Sequence, residues 1–164
     1  MRTATGTGTF RISALPLSQF QPLFALSDAE LNARGMRRMV ADEHPGFPCR
    51  VSLEDAQPGE TLILLHHVHH DVDGPYRGSG PIYVRERATP ASLAPGEVPE
   101  LLRRRLLSLR AYDAAGMLRA SEVIEGRELA ALVAGMFAGP DVAYLHAHNA
   151  RPGCYNCRID RSVG

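Results

Sequence analysis

His146 and His148, in the run Tyr144-Leu145-His146-Ala147-His148-Asn149, form the sharpest chemical feature of the chain. On a strand, Tyr144, His146 and His148 project from one face while Leu145 and Ala147 project from the other. Imidazoles so placed can serve as acid and base, or bind one metal ion or one anion. A few residues on, Cys154-Tyr155-Asn156-Cys157 carries the CxxC spacing of a dithiol pair or of half a zinc site. With the histidines it makes one candidate metal set: His146, His148, Cys154 and Cys157. The competing reading is two reduced thiols packed near a sheet edge. Redox chemistry would want the first thiol at a helix N-terminus, and the residues after Cys157 read as strand instead.

A second histidine group, His66-His67-Val68-His69-His70, precedes Asp71 and Asp73. Strand alternation sends His67 and His69 one way and His66 and His70 the other, so the group reads as a solvated strand end with His69 turned toward a site. Arg77-Gly78-Ser79-Gly80 sets a cation beside a small, flexible backbone, which suits a phosphate or carboxylate. Arg85 and Arg110 lie inside strand patterns, where an inward guanidinium needs an acid or a ligand; Asp55, Asp113 and Glu86 are the internal acids available. Arg103-Arg104-Arg105 is most simply a solvated face. Candidate nucleophiles are Cys49, Cys154, Ser79 and Ser108, but no Gly-x-Ser-x-Gly elbow is present. Arg50 next to Cys49 would favour a thiolate there.

The elements that must position these groups follow from periodicity and turn residues. Phe10–Ala14 reads as a first strand. Ser27 with Glu30 is a capping box and Gly35 closes the helix between them; Met36–Asp42 then leans to strand. After Pro58-Gly59, Thr61–His69 is rich in strand formers, and Gly80-Pro81 precedes the alternating Ile82–Arg87. The proline-rich stretch from Ala88 to Pro99 reads as loop, with a short helix from Pro99 to Arg104. Leu106–Tyr112 and Met117–Ile124 flank a hairpin turn at Asp113-Ala114-Ala115-Gly116. Arg127–Ala138 has helical spacing and stops at Gly139-Pro140. Strands at Val142–Asn149 and Tyr155–Asp160 complete the chain. The expectation is one α+β domain over residues 10–161, mainly an antiparallel sheet with a few short helices and one longer helix near the C-terminus. Residues 1–9, Thr/Gly-rich, read as a lead-in rather than a targeting peptide.

Composition narrows the chemistry. All 18 basic residues are arginine, so mechanisms that need a lysine amine, including pyridoxal-phosphate enzymes and the P-loop, are disfavoured. Formal net charge is zero, which argues against nucleic acid or an acidic membrane as partner. Three cysteines point to a reducing, cytoplasmic setting. The aliphatic run Leu62–Leu65 is too short to span a bilayer.

Several segments resemble the uncharacterised bacterial family known as domain of unknown function 1203. They are Pro48-Cys49-Arg50 with Ser52-Leu53, Pro75-Tyr76-Arg77 with Ser79-Gly80-Pro81-Ile82, Leu107-Ser108-Leu109-Arg110 with Tyr112-Asp113, and above all His146-Ala147-His148-Asn149-Ala150-Arg151-Pro152-Gly153-Cys154-Tyr155. The resemblance implies a compact single domain and assigns no catalytic residues. The residues themselves favour a small anionic ligand held by Arg77, Ser79, Arg110, Tyr112, Asn149 and His69, with His146 and His148 as acid and base. The metal set is the alternative. A third reading is a non-catalytic assembly module in which exposed sheet edges pair two copies.

Overall fold

Alternating apolar and polar residues, punctuated by turn formers, lay the described chain into eight strands and three short helices. The computed structural model describes residues 10–162, so the lead-in expected over residues 1–9 lies outside the described residues. β1 (Phe10–Ser13), β5 (Leu106–Tyr112), β6 (Leu118–Glu125), β7 (Tyr144–Asn149) and β8 (Tyr155–Arg161) form one antiparallel sheet in the order β1-β8-β7-β5-β6. β2 (Arg37–Val40), β3 (Thr61–His70) and β4 (Gly78–Arg85) form a second, in the order β2-β3-β4. The helices are α1 (Asp28–Ala33), α2 (Glu100–Arg103) and α3 (Leu129–Phe137). This is the expected α+β class.

Local chemistry accounts for the boundaries. Ser27 Oγ accepts the Glu30 N–H at 3.1 Å to start α1, and Gly35, at φ +76°, takes the chain out of it. Asp113 Oδ1 accepts the N–H groups of Ala115 and Met117 at 2.9 and 3.0 Å, closing the β5–β6 turn. β4 begins at Gly78 rather than at the expected Ile82, running through Pro81. A proline is tolerated there because β4 is an edge strand. Two 3-10 turns, Leu17–Gln19 and Gln21–Ala25, had no signature in the periodicity. The split into two sheets was likewise unforeseen, because alternation marks a strand without naming its neighbours.

The five-stranded sheet is apolar on one face. Leu107, Leu109, Leu145, Ala147, Cys157 and Ile159 pack there against α2 and α3 through Leu101, Leu102, Leu129 and Val133. Burying each large aliphatic contributes about 1.5–3 kcal/mol. A second cluster joins β3 and β4 to the N-terminal turns and α1 through Phe20, Leu31, Val51, Ile63, Leu65 and Val84. Of the arginine run that ends α2, Arg103 and Arg104 are exposed as expected, whereas Arg105 grips the buried Asp55 with two bonds of 2.8 and 2.5 Å. Among the described residues no helix is long and apolar enough to cross a membrane.

Gly126 shows how closely α2 meets the turn before α3. A Cβ added there would lie 1.7 Å from the Leu102 carbonyl oxygen and 2.9 Å from that of Arg105, both rigid backbone. Gly126→Ala should therefore destabilise the fold by about 3 kcal/mol or more. Gly135, inside α3, has nothing within 4 Å of its virtual Cβ. Gly135→Ala should stabilise by roughly 0.5–1 kcal/mol. Urea unfolding of the two variants checks both signs.

Candidate functional site

The opposite face of the same sheet is polar. Cross-strand register places Ser108 beside His148, Arg110 beside His146 and Tyr112 beside Tyr144. β3 brings its histidines onto this face. The His69 ring lies 4.9 Å from His148 and 6.2 Å from His146, centroid to centroid, and stacks on Tyr155 at 5.3 Å. A bulge between Val68 and His70 breaks the alternation that was expected to send His70 away. His70 instead packs 5.1 Å from His146 and 4.1 Å from Tyr112. His66 stays exposed, as its parity implied.

Hydrogen bonds fix two of the rings. His148 Nδ1 lies 2.9 Å from the Gly153 carbonyl, which can only accept, so Nδ1 carries the proton and Nε2 presents a lone pair. By the same logic His70 donates from Nδ1 to the Tyr76 carbonyl at 2.7 Å, and its Nε2 accepts from the Tyr144 hydroxyl at 2.6 Å. Among the described residues three buried side-chain atoms have no partner: His146 Nδ1 and His148 Nε2 on this face, and Asn156 Oδ1 at the β8 bulge. His146 and His148 are only 2% and 0% exposed. Leaving a buried polar atom unpaired costs about 1–3 kcal/mol.

The field here is positive. Among the described residues no carboxylate pairs with Arg110, whose Nε reaches only Ser108 Oγ at 3.5 Å. None pairs with Arg50 either, which is 2% exposed and donates to the carbonyls of Tyr155 and Pro48 at 2.7 and 2.5 Å. Burial, chiefly, with Arg110 and Arg50 adding to it against the pull of the Gly153 bond, holds the His148 pKa down to about 3. Burial and the neighbouring His70 and His148 take His146 to about 2; burial and Arg110 take His69 to about 4. Burial raises the hydroxyl pKa of Tyr112 and Tyr144 as well, so the phenols stay protonated.

Not every expected residue arrives. Arg77 is exposed and pairs with Asp71 on the surface, and Ser79 is exposed on β4, so the Arg77–Gly80 segment is a strand start and not an anion loop. Asn149 follows the parity of Leu145 and Ala147 to the other side, where its Oδ1 accepts from Asn156 Nδ2 at 2.7 Å. Cys157 is sealed in the apolar cluster, with burial pushing its thiol up to about 12, and cannot join the histidines. Cys154 sits part-exposed in the turn before β8. Among the described residues no group of three or more His, Cys, Asp or Glu is arranged to hold a metal. Arg85 takes Glu60, at 2.8 and 3.0 Å, instead of the acids considered for it. Arg50 is the member that sequence reasoning missed; a buried arginine one residue after Cys49 carries no local mark of the distant Tyr155 carbonyl it binds.

The histidine group is closed, ring against ring. Open clefts occur elsewhere: one of about 590 Å3 lined by Ser52, Asp55, Glu97, Glu100 and Arg104, and one of about 440 Å3 by Asn149, Arg151, Arg104 and Arg105.

Fold and site together define a two-sheet α+β domain with a buried histidine–tyrosine cluster flanked by unpaired arginines. The chain belongs to the family described as "Protein of unknown function (DUF1203)", whose model matches residues 46–161 and so covers every member of the cluster. No curated protein and no solved structure matches it.

Folded His146 and His148 bind protons far less readily than the ordinary imidazole value of 6.5. Their depressed pKa values make the folded state fully stable above that value and less stable as pH falls below it, because the unfolded chain takes up the protons. Between about pH 7 and about pH 5 each should cost roughly 2 kcal/mol, about 4 kcal/mol together. Urea midpoints across that range check it. A flat profile would mean that the two rings are hydrated rather than buried.

Proposed function

We propose that this domain binds a small oxyanion on the polar face of its five-stranded sheet, between Arg110 and the histidines of β3 and β7. One observation carries the reading: two fully buried imidazole nitrogens, His146 Nδ1 and His148 Nε2, stand unpartnered on a face where Arg110 has no carboxylate, the neighbouring Arg158 being paired with Asp160. An oxyanion supplies acceptors to Arg110 in charge-assisted bonds, which are roughly twice as strong as neutral ones. Tyr112, protonated, adds a donor beside it, whereas the Tyr144 proton is already committed to His70 Nε2.

Binding is better supported than catalysis. A general base works best with a pKa near the operating pH, and His146 and His148 in the unliganded protein lie at about 2 and about 3. A bound anion's own charge would raise both, against the burial that chiefly depresses them. Any acid–base role of His146 or His148 therefore belongs to the liganded state.

Isothermal titration of the protein with inorganic phosphate, at low ionic strength and neutral pH, tests the reading. A ligand at about 100 times its Kd raises stability by about 2.7 kcal/mol, which a melting curve also reads. Arg110→Met keeps the stem and removes the charge, and should weaken binding by tenfold or more, corresponding to about 1.5–3 kcal/mol for a bond to a charged group. If neither phosphate nor any small carboxylate shifts the melting temperature of the wild-type protein, the proposal is wrong.

A further inference from the structure

The hydrogen-bond inventory of this face asks for more than negative charge. Arg110 can only donate. His148 can only accept: its one proton is committed to the Gly153 carbonyl at 2.9 Å, so the buried Nε2 offers a lone pair with nothing to receive. A ligand that satisfies both must therefore bring an acceptor for the guanidinium and a proton for the imidazole. We infer that the site selects a protonated oxyanion, one carrying an O–H beside its charged oxygens, over an anion of equal charge and shape that has no proton to give.

The inference rests on the anion reading above and narrows its ligand class. Hydrogen phosphate fits, as does a phosphate monoester in its singly protonated form; sulfate does not. The reason is the unequal cost of the two mismatches. Where a buried acceptor meets a hydroxyl, one bond with water is exchanged for one within the protein. Where it meets a bare anionic oxygen, two lone pairs face each other without a proton between them. Protonating His148 would remove the clash, but that adds a third cation beside Arg110 and Arg50, in a place with no carboxylate. The depressed pKa of His148, about 3, agrees with this ordering. A 2-hydroxycarboxylate presents the same pairing of anionic oxygen and adjacent hydroxyl, and belongs to the class on the same ground.

Phosphate and sulfate make the decisive pair, since near pH 7.5 both are tetrahedral dianions and differ by one proton. Titration calorimetry of the wild-type protein with each, at matched ionic strength, should find phosphate tighter by roughly tenfold or more. His148→Gln replaces the fixed acceptor with an amide that can turn a donor to the ligand. In that variant, with the fold verified by circular dichroism, the ratio should fall toward one through a gain for sulfate. Equal affinities in the wild-type protein would overturn this inference and leave the anion reading intact. Binding of neither ion would overturn this inference, and the anion reading with it if small carboxylates also fail to shift the melting temperature. An unchanged preference in folded His148→Gln would place the proton-reading group elsewhere and likewise overturn the inference. The wild-type comparison decides by itself if the variant fails to fold.

Discussion

Arg50 ties the two sheets together. Its backbone N–H donates to the Tyr83 carbonyl in β4 at 3.1 Å, and its carbonyl accepts from Leu15 at 2.9 Å. Its guanidinium crosses to the other sheet, donating to the Tyr155 carbonyl at the start of β8. A buried cation normally demands a buried anion, because its desolvation costs several kcal/mol. Here carbonyl dipoles stand in for the counter-ion, and burial lowers the Arg50 pKa to about 10, which still leaves it charged at neutral pH. The tie also sets Tyr155, the ring on which His69 stacks and against which His146 packs at 5.0 Å. What joins the sheets thus also shapes the polar face.

The five-stranded sheet divides its labour by parity. Leu107, Leu109, Leu145 and Ala147 carry the folding free energy on one side, where helices seal them from water. Ser108, Arg110, Tyr112, Tyr144, His146 and His148 alternate with them on the other. Little of that second face helps stability: it buries neutral imidazoles with open valences beside unpaired cations, each a net cost. Aliphatic residues at His146 and His148 would pack without that cost, so the polar choice needs a reason outside folding. The proposed ligand is such a reason.

Much of this was legible in the sequence, and the failures have definite causes. Simple alternation placed Tyr144, His146 and His148 together and grouped His69 with His67 without choosing between them, because that rule depends only on a strand being regular. It failed where a strand is irregular. The bulge in β3 returns His70 to the cluster. An extra residue in β8 puts both Tyr155, opposite His148, and Cys157, opposite Ala147, at odd positions yet on different faces. The CxxC spacing lost its meaning at that bulge. Arg77 and Ser79 misled for another reason: glycine-rich sequence next to a cation matches an anion loop as well as it matches an edge strand paired through backbone alone. Arg50 was read only as a neighbour of Cys49, because no local pattern encodes its contact with the Tyr155 carbonyl across 105 residues.

The closed packing of the rings bears on how a ligand could enter. Of the three histidines around the open valences, His69 is the least buried, and Arg110 is likewise only half-buried. Solvent therefore approaches His148 past those two side chains. Gly78 flanks His69 closely enough that an added Cβ would sit 2.8 Å from its Nε2. The absence of a side chain there lets the ring lie flat against Tyr155, and a stack of this kind is worth only about 0.5–1.5 kcal/mol beyond its buried area. His148, by contrast, is tethered to Gly153, and His70 is tethered at both nitrogens. On the proposed reading, His69 is the ring that yields: among the described residues neither it nor His146 has a protein hydrogen bond to break, and His69 is the less buried of the two.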